Sequence, residues 1–438
     1  MMFSQSTKKI FQKAGILLSG NAVSAVFSLI TIAFMTRALS LEDFGRYALV
    51  TALIALIDRL VSFQSWQALI HFGAKASEAG DSGKLISLFA FGWYLDVITG
   101  IVGYALILLL GLFVPHWFGL EEHAVLFTAV AGFLVLFNWT AAPTAIFRLY
   151  DKFYLQALYQ KVTTGTMMLC TFFLWLMNEN NILLYVIALT FSGLTGKVFF
   201  YAMAVRELRH QRLLNIDKID IMDLIKTTPR LWKFVITTNL DGVVRVFRDI
   251  DIFIINAILG PASVALYKVA RTLTKAFGKV TGPFFQVIYP ELNKLCAANK
   301  MADFVTLMKQ SSKSLGVAAL FAWLAFLVLG DTLLEHGLGQ DYSQAYGVTL
   351  LCMAAMVVWA TAMPLSPAMI ALGKVETTLF IHVTTTVMYL LMLVVFCKGF
   401  GLLGSGVALL VFFVLWALAM FFSFRCQPHH TPSHERSD

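Results

Sequence analysis

The chain has 438 residues, 59% hydrophobic and 13% charged, with a formal net charge of +8 and a mean hydropathy of +0.77. This composition excludes a soluble globular enzyme and places most of the chain in lipid; the basic excess is then a topological signal before it is a sign of nucleic acid, which is not expected as a partner. The five cysteines are scattered without a CxxC pair and the nine histidines lack ligand spacing, so neither a disulfide framework nor a metal site is expected.

A bilayer crossing takes about 20 apolar residues. Twelve such runs follow one another near 14–36, 44–70, 85–114, 124–146, 156–177, 181–204, 234–258, 262–288, 314–331, 344–364, 375–397 and 402–424. Lys8, Lys9 and Lys13 precede the first run, which ends without a small-residue cleavage site and reads as a retained span. Breakers and polar clusters such as PHWFGLEEH, NENN and CKGFG separate several runs. The expected fold is therefore an all-α polytopic membrane protein of twelve transmembrane helices.

A weak repeat at an offset of about 220 divides them. RALSLEDFGRYAL matches AILGPASVALYKV, and ILLYVIAL matches LLGSGVAL. Two pseudo-symmetric six-helix bundles are expected, at 1–204 and 234–425, with a basic cytoplasmic linker at 205–233 and a disordered cytoplasmic tail at 426–438. Two similar bundles about a central site is the layout of a carrier that binds between its repeats. Of the 33 Lys and Arg residues, 22 fall on segments that this topology assigns to the cytoplasm and only Arg37, Arg46 and Lys398 on opposite loops. Both termini are expected in the cytoplasm.

The other cations lie inside spans, where a charge is costly and marks function or a partner. Span two carries Asp58 beside Arg59, read as a local pair or as coupling and ligand-binding groups, followed by Gln64, Trp66 and Gln67; Asp96 opens span three, and Lys197 in span six reads as an end residue. Span seven carries Asp241, Arg245, Arg248, Asp249 and Asp251. Span eight, LYKVARTLTKAFGKVTGPFFQVIYP, carries Lys268, Arg271, Lys275 and Lys279 without an acid. At about 100° per residue these four fall within roughly 80° of arc and about 16 Å of helix. Six cations against three carboxylates in spans seven and eight point to an anionic ligand, phosphate above all. No phosphate loop, GxSxG, HExxH or paired-carboxylate motif appears, and no catalytic residue is assigned.

TRALSLEDFGRYALV at 36–50 resembles the R-x-L-x-x-x-x-F/Y-G-x-Y arrangement of the Wzx-type polysaccharide-biosynthesis flippases of the MOP exporter superfamily, which also holds MATE transporters and lipid II flippases. RDIDIFIINAILGPASVALYKVA, VIYPELNKL and GLLGSGVAL extend the resemblance over the whole chain. It implies a bacterial inner-membrane protein of lipopolysaccharide O-antigen or capsule synthesis. Such a protein moves an undecaprenyl-diphosphate-linked oligosaccharide outward through a cationic cavity, alongside the polymerase and glycosyltransferases of the pathway. Arg245, Arg248, Lys268, Arg271, Lys275, Lys279 and Arg59 are then candidates for the diphosphate. Asp58, Asp96, Asp241 and Asp249 are candidates for ion pairing or coupling to a proton or sodium ion, with no other cofactor. The alternatives are MATE-like export of a small molecule and a membrane polymerase or ligase of the same pathway.

Overall fold

The computed structural model describes residues 5–62, 65–115, 123–213, 219–228, 230–232, 234–236, 247–298 and 300–425, with side chains left out at 5–21, 247–248, 277–287, 289–290, 297 and 375. Every regular element among them is helical. The polytopic all-α fold expected from hydropathy is the fold found: among the described residues eight helical stretches are long and apolar enough to cross a bilayer, one of which, Asp251–Ala276, contains a turn at Gly260, and nine with the bent pair Leu41–Val61 and Trp66–Glu78 taken as one span. Two other expected spans fall on Gln5–Ala38, whose apolar part is Ala22–Ala38, and on Phe153–Leu176, diluted at its start by Gln156, Gln160 and Lys161. Within 234–258, residues 237–246 lie outside the described residues.

The chain forms two compact units, Met1–Val269 with Glu335–Tyr342, and Ala270–Leu334 with Ser343–Asp438. The first holds α1 (Gln5–Ala38), α2 (Leu41–Val61), α3 (Trp66–Glu78), α4 (Ser82–Phe113), α5 (Ala124–Leu136), α6 (Ala141–Leu149), α7 (Phe153–Leu176), α8 (Ile182–His210) and α9 (Ile221–Thr227). Helix α2 starts where Ser40 Oγ accepts the N–H of Asp43 at 3.1 Å, with Glu42 and Asp43 in its first turn against the positive helix end. Helix α1 packs on α7, α7 on α8, α4 on α5, and α2 against α4 and α5.

The basic segment expected as a linker at 205–233 is tied to this unit over part of its length. Helix α8 runs on to His210, α9 follows, and Leu224, Leu231 and Val235 are buried with Leu69, Leu88 and Phe147. These apolar residues recur within the charged stretch and give it a face to bury. The tail expected at 426–438 lies outside the described residues.

Asp251–Ala297 (α10) is two helices joined at Gly260, whose φ of 80° and ψ of 176° cannot continue a helix. Its first arm and the start of its second reverse direction within the first unit. Tyr267 donates its hydroxyl to Asp251 at 2.5 Å, although 16 residues of straight helix would part them by about 24 Å. The contacts along α2 agree: Asp249 meets Arg59, Pro261 lies against Gly45, and Lys268 reaches Thr51. Residues 249–260 and 261–268 therefore form an antiparallel hairpin, as the sequence boundaries at 258 and 262 imply. Gly45, in the family-like stretch at 36–50, has a backbone role, because a Cβ there would lie 1.9 Å from the Pro261 carbonyl oxygen.

The second unit is built from the rest of α10, α11 (Met301–Leu338), α12 (Tyr346–Ala362), α13 (Leu365–Ala371), α14 (Val375–Phe400) and α15 (Leu402–Arg425), with α15 packed between α12 and α14. Gly401, at φ 59°, turns the chain between α14 and α15, and Gly404 lets α15 approach the Phe396 carbonyl. The stretch 331–344, which separates two of the apolar runs, is mostly helical: α11 runs to Leu338 and Gln340–Ala345 forms a 3-10 turn. DTLLEHGL has no breaker before Gly337, so its charges mark a solvated helix end.

Candidate functional site

The fourth span is broken. Helices α5 and α6 are separated at 137–140, Phe-Asn-Trp-Thr, which leaves carbonyls at the end of α5 and amides at the start of α6 without helical partners. Two of these groups are met by opposite charges from neighbouring helices. Lys197, midway along α8, donates to the carbonyl of Leu134 in the last turn of α5. Asp96 of α4, 5% exposed, accepts the N–H of Ala141 at 2.9 Å. Each charge has the sign that its helix end favours.

Asp58 of α2 joins the same cluster. Its Oδ1 accepts from Asn138 Nδ2 at 2.6 Å and from Ser62 Oγ at 3.1 Å, and Asn138 also lies 3.4 Å from Ser62 Oγ. Lys197 acts electrostatically on both carboxylates, and these act on one another. The indole N–H groups of Trp93 and Trp139, whose rings meet at 5.9 Å edge to face, are buried with no hydrogen-bond partner among the described residues.

A second polar strip lies where the α10 hairpin runs along α2. Arg59, its side chain 55% exposed, pairs with Asp249, and Lys268 donates to Thr51 Oγ1 at 3.2 Å. Arg59 lies in the last turn of α2, just before the bend towards α3. Asp58 and Arg59 do not form the local pair that their adjacency suggested, because consecutive helical side chains point about 100° apart.

The first unit thus brings together Asp58 and Asp96 in one cluster, and Arg59 with Asp249 in the strip. Arg271 and Lys275 lie in the second unit, half-buried and exposed respectively, and neither is without a partner. Arg245 and Asp241 lie outside the described residues, as do the side chains of Arg248 and Lys279. Gln64 is outside them too, while Trp66 lies under the Arg148 guanidinium, 4.0 Å from its ring centroid. Lys197 is the residue that sequence reasoning undervalued. It lies at the centre of α8 rather than its end, and its partner is a backbone carbonyl that no spacing rule reveals. The NWT stretch before Pro143 was the one available sign of a break.

A family described as "Polysaccharide biosynthesis protein" matches residues 10–296. The "Inner membrane protein YghQ" of Escherichia coli K12 is 26% identical over 340 residues, covering 77% of this chain and 95% of that protein. The "Putative O-antigen transporter" of Shigella flexneri is 23% identical over 425 residues, covering 92% and 94%. Among solved structures, an inward-facing multidrug resistance MATE family transporter of the MOP superfamily superposes with a TM-score of 0.71 at 14% identity, over 94% of this chain and 97% of that one. The lipid II flippase MurJ in an inward closed conformation gives 0.68 at 14% identity, over 94% and 88%. The fold is thus the one these solved transporter and flippase structures share.

Proposed function

Because the chain belongs to the polysaccharide biosynthesis protein family, we propose that it is a flippase for a lipid-linked oligosaccharide. Its substrate is an undecaprenyl-diphosphate-linked repeat unit of O-antigen, capsule or a similar glycan, carried from the cytoplasmic to the periplasmic leaflet of the bacterial inner membrane by alternating access. The two six-helix bundles are the moving parts and both termini are cytoplasmic. The observation that carries this reading is the row of cations Lys268, Arg271, Lys275 and Lys279 within one apolar stretch, supported by Arg59, whose half-exposed side chain pairs with Asp249 where the hairpin runs along α2. A diphosphate needs cations held in a polar path through the bilayer, while its prenyl chain stays in lipid.

The test is Arg271→Gln with Lys275→Gln in a strain whose surface glycan depends on this protein. A hydrogen bond to a charged group contributes roughly 1.5–3 kcal/mol, so losing two should lower transport about 100-fold or more while the protein still inserts. Normal surface polysaccharide would remove these residues from the diphosphate site.

The acids of the first unit favour one other reading, export of a lipophilic cation, since Asp58 and Asp96 make a net acidic cluster there. That reading predicts efflux of a fluorescent cation from cells and no effect on surface glycan when the gene is deleted.

A further inference from the structure

The cluster at the α5–α6 break holds two carboxylates and one ammonium, Asp58, Asp96 and Lys197. The other titratable or charged groups facing it are Arg59 on α2, already paired with Asp249, and Tyr159 on α7. Between them α5 and α6 add the polar Asn138 and Thr140. With both acids ionised the cluster has one negative charge more than it has cations, inside a membrane span, where an uncompensated charge is costly.

Two carboxylates that repel one another and share one cation titrate as a pair. A metal ion fits less well. The groups around the carboxylate oxygens are donors, namely Asn138 Nδ2, Ser62 Oγ–H, the Ala141 N–H and the Lys197 ammonium. A hard cation needs a shell of oxygen acceptors. No group of three or more ligating side chains occurs among the described residues.

We propose that Asp58, Asp96 and Lys197 form a binding site for one exchangeable proton, set into the broken fourth span. Loading adds a proton from water to a carboxylate oxygen of the Asp58–Asp96 pair and makes the cluster neutral. Release returns the proton to water and restores the second negative charge to the pair, one member of which, Asp96, caps α6. The occupied and empty forms therefore differ in how firmly the two half-helices are held, which couples proton occupancy to the geometry of the break. Its use as the driving ion of transport rests on the flippase reading above; the site itself does not.

The experiment uses the purified full-length protein in detergent. Trp139 and Trp93 adjoin the cluster, so tryptophan fluorescence followed against pH, in choline and in sodium buffers, reports its charge; W139F and W93F assign the signal. One titration step is expected, equal in both buffers, absent in D58N and in D96N, and moved up by about one pH unit or more in K197M, where the cation favouring the ionised pair is gone. Asp96→Glu is the companion variant in case D96N fails to fold, and it should titrate with a shifted midpoint. A step unchanged in D58N and D96N overturns the site, and a midpoint moved by sodium assigns it to a metal cation instead. Counterflow of lipid-linked glycan in vesicles separates the two readings. A protein that titrates as expected but moves no glycan refutes the flippase and keeps the proton site; one that moves glycan with no titration does the reverse.

Discussion

Two acids near the α10 hairpin are held in different ways. Asp249 pairs with the exposed Arg59, whereas Asp251, 3% exposed, accepts the hydroxyl of Tyr267 at 2.5 Å. An exposed pair contributes about 0–1 kcal/mol, while a buried acceptor that loses its donor costs about 1–3 kcal/mol. Tyr267→Phe should therefore lower the midpoint of thermal unfolding in detergent, and Arg59→Gln should leave it almost unchanged while impairing glycan export. Equal midpoints for the two variants would contradict this assignment of burial. At this scale the sequence was least legible. The depth of Asp58 and Arg59 could be read from their span, but their partners, Asn138 and Asp249, are 80 and 190 residues away. Lys197 was misread for the same reason, since a backbone carbonyl as acceptor leaves no mark on composition.

The elements were far more legible, because lipid leaves the backbone few options other than a helix of fixed minimum length. The ILGPAS stretch already contained the turn of the α10 hairpin: Gly260 supplies a positive φ and Pro261 begins the next helix at the position where its missing N–H costs nothing. Nothing lies within 4 Å of a Cβ built at Gly260, so Gly260→Ala tests conformation alone. It should cost about 1–3 kcal/mol, because φ 80° with ψ 176° is a region that essentially only glycine populates, and Gly260→Asn should cost as much, read as thermal midpoints. Gly45→Ala tests space instead. Its Cβ would meet the Pro261 backbone, which cannot rotate away, and overpacking of this kind costs about 1–3 kcal/mol or more. What hydropathy could not give was the interruption of the fourth span, since the FNWT residues are apolar or neutral and barely lower its average.

For the molecule as a whole, composition, span order and motif resemblance were enough to place the chain in its family, and the fold agrees. The sidedness rests on Lys and Arg counts alone. It predicts that a cysteine at 218 reacts with a membrane-impermeant thiol reagent only in permeabilised cells, and labelling of intact cells would invert the topology. The flippase reading predicts in turn that single cysteines at 268, 271, 275 and 279, in a background lacking the five natural ones, react with a small water-soluble reagent; uniform protection would mean that this helix face is packed in lipid or protein. The staple between Asp251 and Tyr267 also bears on how the chain is made. Asp251 lies about 13 Å along its helix from the turn at Gly260, and it leaves the ribosome 16 residues before Tyr267. The bond between them forms only once both arms of the hairpin have emerged, so the two arms are expected to enter lipid together.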